Sequence, residues 1–206
     1  MHFYLRKLLI YPPKTHLKTE DNKEFKLHPL LGIITAAIFI FFLCSTVRHA
    51  LFQSDAWDLG IFDQAIYLIS RGKPPISSIL GFHILGDHAA FVFYPLALLY
   101  KLSPNIHWLF VVQSVSLALG ALPIWYLCQH VGLKATQATT LVSVYLLYPL
   151  VFNINLFDFH PEVIALPAFL GAILAAFLGK NWWFCLAILL ILSCKAVLSL
   201  TVVAMG

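Results

Sequence analysis

Long apolar runs limit what this chain can fold into. The first, Leu30 to Val47, carries no charge and, at 1.5 Å per residue, reaches about 27 Å, enough to cross a bilayer. Further runs lie at about 107–128, 136–157, 163–179 and 182–204. With 61% apolar and 11% charged residues, the chain has more apolar surface than a soluble domain of its size buries. We therefore predict an all-α, polytopic transmembrane helix bundle of about five spans with additional interfacial helices.

The segment before the first run, residues 1–28, carries its own group of charges. It holds six basic residues (Arg6, Lys7, Lys14, Lys18, Lys23 and Lys26) and three acidic ones (Glu20, Asp21 and Glu24). Because positively charged flanks stay on the cytoplasmic side, we predict a basic cytoplasmic N-terminal segment that faces lipid headgroups and does not bind nucleic acid. Residues 29–206 then form the transmembrane module.

The run at 89–102 decides the topology. It is shorter than the roughly 17–25 residues that a span needs, and Tyr94 and Pro95 interrupt it, so we interpret it as interfacial or re-entrant. The outer loops then lie at about 50–106 and 153–162. All acidic residues beyond position 28 fall on the same outer face: Asp55, Asp58, Asp63, Asp87, Asp158 and Glu162. The alternative, in which 89–102 spans the membrane, divides the acids between two faces and fits the distribution of basic residues less well.

An amphipathic pattern follows Asp58 in the first outer loop. Leu59, Phe62, Ile66 and Ile69 recur at helical spacing, which predicts a helix over 59–71 lying in the membrane interface. The sequence Gly72-Lys73-Pro74-Pro75 is expected to end it. We expect Asp55 or Asp58 to cap the start of this helix.

The polar motifs have a structural and a chemical interpretation. Asp58 and Asp63 can be solvated helix-start acids, or carboxylates that accept a proton from a hydroxyl or hold a divalent cation. Within Gly86-Asp87-His88, a direct pair is not expected, because adjacent residues of a helix do not share a face. The segment from Asn153 to Glu162 is either a polar hinge or the second half of a shared site. Lys195, inside the last run, either faces a partner or extends to the interface.

In order along the chain, these motifs resemble domain-of-unknown-function family 2079, a group of bacterial multi-spanning membrane proteins. The resemblance covers roughly residues 50–206, and the motifs that carry it are Asp58-Leu59-Gly60-Ile61-Phe62-Asp63-Gln64, Gly86-Asp87-His88 with Tyr94-Pro95, Gln113, and Phe157-Asp158-Phe159-His160-Pro161-Glu162. The family itself resembles the GT-C superfamily of glycosyltransferases, which use polyprenyl-phosphate sugars. This implies a GT-C-like N-terminal module in the bacterial inner membrane, with a lipid-phosphate sugar as donor and Asp58 as the acid of the first outer loop.

The polar motifs and the resemblance together give a set of candidate site residues. The catalytic candidates are Asp58, Asp63, Asp158 and His160. Arg71 and Lys73 are candidates for binding the donor. A divalent metal ion would be held by Asp58, Asp87, His88 and Glu162.

Two features depart from the family pattern. Ser193-Cys194-Lys195-Ala196-Val197 keeps the lysine of a Lys-Glu-Asp motif but lacks both acids, and Gly206 follows directly on an apolar run. We therefore expect an N-terminal portion of a longer protein, inactive alone or completed by a second membrane chain. A non-catalytic membrane subunit and a transporter are the alternatives.

Overall fold

The computed structural model describes residues 28–205, apart from the side chain of His28. The predicted basic cytoplasmic segment therefore lies outside the described residues. Within the described range the chain is helical, and no strand occurs there beyond one isolated bridge between Ile76 and His83. The predicted all-α class is confirmed over this range.

The helices follow one another with short connections. They are α1 (His28–Ala50), a π-helical segment (Ala56–Gly60), α2 (Ile61–Ser70), α3 (Ile84–Asp87), α4 (Phe93–Leu102), α5 (His107–Leu119), α6 (Ala121–His130), α7 (Ala135–Leu146), α8 (Pro149–Leu156), α9 (Glu162–Phe177), α10 (Asn181–Cys194) and α11 (Leu198–Met205).

The described part of the chain contains two helices long and apolar enough to cross a membrane. They are α1 from Pro29 to Ala50 and the α5–α6 unit from His107 to His130. The α7–α8 pair, bent by 41°, makes a third if it is one span, while α9 and α10 are shorter apolar helices. The predicted number of about five spans is therefore not confirmed. Tyr148 and Lys195 interrupt two of the apolar runs, which sequence hydropathy alone treats as continuous.

The helices pack around a continuous apolar core. α1 lies against α5, α9 lies against both α5 and α6, and α9 and α10 form an antiparallel hairpin. Phe62, Phe93 and Phe159 are the largest side chains fully enclosed in this core. The outward face of α1, which includes Phe39 and Leu43, is exposed and apolar, as expected of a helix that contacts lipid or another membrane helix.

The predicted amphipathic helix is confirmed as α2, preceded by the π segment. Its buried face includes Phe62 and Ile66. After its last turn, Gly72 adopts a left-handed conformation with φ of 67°. The N–H of Gly72 donates to Ile69 O at 2.9 Å, and the N–H of Lys73 donates to Leu68 O at 2.9 Å. These two bonds form a Schellman cap, which explains why the helix ends where the Gly-Lys-Pro-Pro sequence predicts.

Candidate functional site

The π segment (Ala56–Gly60) places the first acidic motif. Asp55 is its N-cap, and Asp55 Oδ1 accepts from the Trp57 N–H at 2.9 Å, so the predicted capping role falls to Asp55. Asp58 lies inside the segment, which runs directly into α2. Short π-helical segments are rare in proteins, but those that occur often lie at functional sites.

Asp58 meets His160 from the second acidic loop. His160 Nε2 lies 3.3 Å from Asp58 Oδ1, and both side chains are partly exposed. The other ring nitrogen, Nδ1, lies 2.9 Å from the carbonyl oxygen of Asp158. A carbonyl oxygen only accepts hydrogen bonds, so Nδ1 carries a proton. Nε2 is then the ring nitrogen left to face the Asp58 carboxylate, where an imidazole can give or take a proton.

Asp158 joins the two acidic loops to the end of α1. Its carboxylate is buried, and Oδ1 accepts from Arg48 Nη1 at 2.5 Å while Oδ2 accepts from the Asp55 N–H at 2.6 Å. Asp158 therefore fixes the backbone next to Asp58 and supports the ring of His160. Arg48 was not predicted as a site residue, because a basic residue at the end of a span resembles an ordinary membrane flank.

Gln113 and Asn155 anchor the second loop inside the bundle. Gln113 Nε2 donates to Asn155 O at 2.9 Å and to Phe157 O at 3.3 Å, and Asn155 Nδ2 donates to Phe41 O at 2.9 Å. Both side chains are fully buried. Because their amide nitrogens are committed to carbonyl groups, the side-chain oxygens of Gln113 and Asn155 point away and have no partner among residues 28–205. A buried water would satisfy them.

Phe62 lies between the Asp58–His160 pair and a second pair. Its ring meets His160 and His88 edge to face, with centroid distances of 5.4 and 5.3 Å. His88 Nδ1 is in direct contact with Asp87 Oδ2. The expectation that Asp87 and His88 do not pair is wrong, because α3 ends at Asp87 and His88 follows it outside the helix, where face geometry no longer applies.

The break between α10 and α11 brings Lys195 to the same region. Lys195 Nζ lies 2.5 Å from Glu162 Oε1, in the first turn of α9. Two main-chain bonds hold the break against the chain after α3: Ala196 N–H to His88 O at 3.2 Å, and Val92 N–H to Ser193 O at 3.0 Å. Of the two interpretations of Lys195, the structure shows the one with a partner.

Asp63 and the predicted donor-binding residues lie apart from the Asp58–His160 pair. Asp63 Oδ1 accepts from the Tyr100 hydroxyl at 2.6 Å, which ties α2 to α4. Burial, and then the bond to Asp63 and its charge, raise the pKa of Tyr100 above its ordinary value, so the phenol stays protonated and remains a donor. Arg71 and Lys73 are exposed at the other end of α2, about 15 Å along its axis, where the Arg71 guanidinium stacks on Tyr67.

The predicted metal ligands are divided among three pairs. Asp58 contacts His160, Asp87 contacts His88, and Glu162 contacts Lys195. Across the described range, no group of three or more histidine, cysteine, aspartate or glutamate side chains is arranged to hold a metal ion. A single carboxylate such as Asp58 still suits a magnesium ion that takes its other ligands from a phosphate and water.

A cavity of about 550 Å³ adjoins the second acidic loop. Its walls are almost entirely apolar, and its polar residues are confined to the loop and the helix ends next to it. The residues that line it are Leu117, Asn153, Ile154, Phe157, Asp158, His160, Glu162, Val163, Leu166 and Phe169.

Fold and site together define a helical membrane protein whose two acidic loops, far apart in sequence, meet at the same end of the helices. The chain belongs to the family described as Predicted membrane protein (DUF2079), whose model matches residues 48–206. The predicted family is thus confirmed, and its matched region contains the site motifs. No curated protein and no solved structure gives a significant match, and the relation to GT-C enzymes stays a prediction.

Proposed function

We propose that this chain is a GT-C-like glycosyltransferase module of the bacterial plasma membrane, with the N-terminus in the cytoplasm and the site on the outer face. It transfers a sugar from a polyprenyl-phosphate donor to a hydroxyl acceptor. The observation that carries the proposal is the contact between Asp58 Oδ1 and His160 Nε2, which joins the two acidic loops at 3.3 Å. A carboxylate held by a histidine at the edge of an apolar bundle suits proton abstraction from a hydroxyl.

In the proposed reaction the acceptor oxygen bonds to the anomeric carbon of the sugar while its proton passes to Asp58. The bond between the anomeric carbon and the phosphate oxygen breaks, and the lipid phosphate leaves with the electron pair. His160 holds Asp58 in position and can carry the proton onward. Asp158 contributes by fixing both loops, and Asp63 by fixing α2 against α4.

Arg71 and Lys73 have a proposed role in attracting the donor. Both are exposed at the far end of α2, so their positive charge can draw an anionic headgroup toward the outer face. A divalent ion would bind Asp58 together with the donor phosphate and neutralise charge on the departing group. The edge of the proposed site would then be formed by Glu162, Asp87 and His88.

Asp58→Asn tests the proposal directly. We expect this variant to lose sugar transfer, because an amide cannot take the proton of the acceptor, while membrane insertion and yield stay unchanged. The measurement is transfer from a radiolabelled polyprenyl-phosphate sugar in membranes that contain the full chain.

Asp55→Asn is the matched control, since asparagine caps the π segment as aspartate does. We expect Asp55→Asn to keep its activity. Transfer by Asp58→Asn at the wild-type rate would refute the proposed base. Absence of transfer by the wild-type chain, followed by its recovery on adding a second membrane chain, would instead show that this module needs a partner.

A transporter is the second candidate, and the α10–α11 break favours it. Discontinuous apolar helices with a charged residue at the break are typical of substrate and ion sites in transporters. Here the break holds Lys195, paired with Glu162. This alternative expects uptake into liposomes that contain the purified chain, without any sugar transfer.

A further inference from the structure

The cavity next to the Asp58–His160 pair has a polar end and an apolar end. Glu162, Val163, Leu166 and Phe169 follow one face of α9, and the first of these is at the loop end. Phe169 lies seven residues beyond Glu162, a distance of about 10 Å along the helix axis. His160, which contacts Asp58, belongs to the polar end of the cavity. A ligand that fills the cavity therefore presents its head to the pair and its tail to apolar walls.

The charge at the polar end distinguishes between possible headgroups. The carboxylate of Asp158 is balanced by Arg48, and that of Glu162 by Lys195. Among these contacts the partner of Asp58 is a histidine. The Asp58–His160 pair therefore has a formal charge that is negative or zero. Without a bound metal ion, a phosphate at this point would face a carboxylate, and Arg48 and Lys195 are already paired with other carboxylates. A neutral hydroxyl would donate to Asp58 and meet no repulsion.

We propose that the cavity binds the hydrocarbon chain of a lipid acceptor whose neutral hydroxyl lies at the Asp58–His160 pair. This inference rests on the proposed function and gives it a class of acceptor, a long-chain alcohol or a lipid with a hydroxyl headgroup. The apolar lining excludes a soluble sugar or peptide from the deep end, because their polar groups would lose water without finding partners there. The anionic donor then approaches from the aqueous side of the pair.

The test uses the purified full chain in detergent and a long-chain alcohol that carries a photoreactive diazirine in its tail. After irradiation, mass spectrometry locates the label along the chain. We expect the label on peptides covering 153–169, and competition by an unlabelled long-chain alcohol. The matching alkyl phosphate should compete less well. Labelling needs no sugar transfer, so it succeeds or fails independently of the proposed reaction.

Two variants narrow the cavity from different helices. Leu166→Trp acts from α9 and Ile154→Trp from α8, and both side chains are only partly buried, so both helices can accept the larger ring. Ile173→Trp, exposed on α9 outside the cavity lining, is the matched control. We expect weaker labelling at 153–169 in both narrowed variants and unchanged labelling in the control, with melting temperatures showing that each is folded.

Undiminished labelling of this segment in both folded, narrowed variants would overturn the proposal. Equal or stronger competition by the alkyl phosphate would also overturn it, since the cavity would then serve the anionic lipid. Labelling spread evenly over the lipid-facing helices would show that the cavity binds no chain selectively.

Discussion

At the scale of single residues, the carboxylate of Asp158 holds the site together. It is buried, and it binds both the Arg48 guanidinium and the main chain of Asp55. Removing a buried carboxylate leaves its cation and its donor without partners, which costs more than the pair contributes. We expect Asp158→Ala to lower the free energy of unfolding by about 3 kcal/mol, at the lower end of the range for buried pairs because Arg48 is partly exposed.

The measurement is thermal unfolding of the purified chain in detergent micelles. The double variant Arg48→Met with Asp158→Leu replaces both charges with apolar groups. It should therefore be more stable than Arg48→Met alone or Asp158→Leu alone. Full additivity of the two single effects would contradict a direct interaction between these residues.

The sequence identified the acidic residues that the structure brings together, but not how they pair. The acids of both loops were found because charged residues are conspicuous in an apolar chain. Their partners were not, because Arg48 and Asp158 are far apart in sequence and no local pattern connects them. The pairing of Asp87 with His88 was missed for a different reason, since helical face geometry was applied to a residue just outside the helix.

At the scale of the helices, close approach between α7 and the α5–α6 joint depends on Gly120. The Tyr145 hydroxyl of α7 donates to Leu117 O at 2.7 Å. A methyl group at position 120 would overlap the phenol of Tyr145. We therefore expect Gly120→Ala to destabilise the bundle by about 1–3 kcal/mol, the range for overpacking a filled interior.

Gly171→Ala on α9 is the matched control. Apart from its own stretch of helix backbone, no atom lies within 4 Å of the position that its Cβ would take, so Gly171→Ala should be neutral or slightly stabilising. Both variants are compared by melting temperature in the same detergent. Equal melting temperatures would show that α7 does not pack against the joint in this way.

The amphipathic helix α2 and its end at Gly72 were predictable, because face spacing and glycine caps are local signals. The π segment was not, since the residues around Asp58 fit an ordinary helix start. The breaks at Tyr148 and Lys195 were also missed as helix ends. Pro149 and the charge of Lys195 both indicate a break in the helix. A prediction based on hydropathy misses them, because the surrounding residues are apolar.

At the scale of the whole molecule, the contacts between the loops restrict the topology. Arg48 at the end of α1 meets Asp158 after α8, and Asp58 meets His160, so both loops lie on one side of the bundle. This agrees with the interpretation of 89–102 as a non-spanning segment, since α4 has 10 residues and reaches only about 15 Å. These contacts show that the two loops share one face of the bundle. The prediction that this face is the outer one comes from the distribution of basic residues.

Single cysteines test that orientation. In a variant whose native cysteines are replaced by alanine, we introduce cysteine at Trp57, Phe157 or Val131, each of which is well exposed. An impermeant maleimide should label positions 57 and 157 in intact cells, because both loops face outward. It should label position 131, in the α6–α7 connection, only after the membrane is opened.

The pattern of labelling separates the possible errors. Labelling of only one of positions 57 and 157 would place the loops on opposite faces and exclude a shared site, whatever the chemistry. Labelling of position 131 alone from outside would leave the shared site intact but move it to the cytoplasmic face. In that case the Asp58–His160 pair would meet cytoplasmic substrates, and a lipid-phosphate donor used on the outer face would no longer fit it.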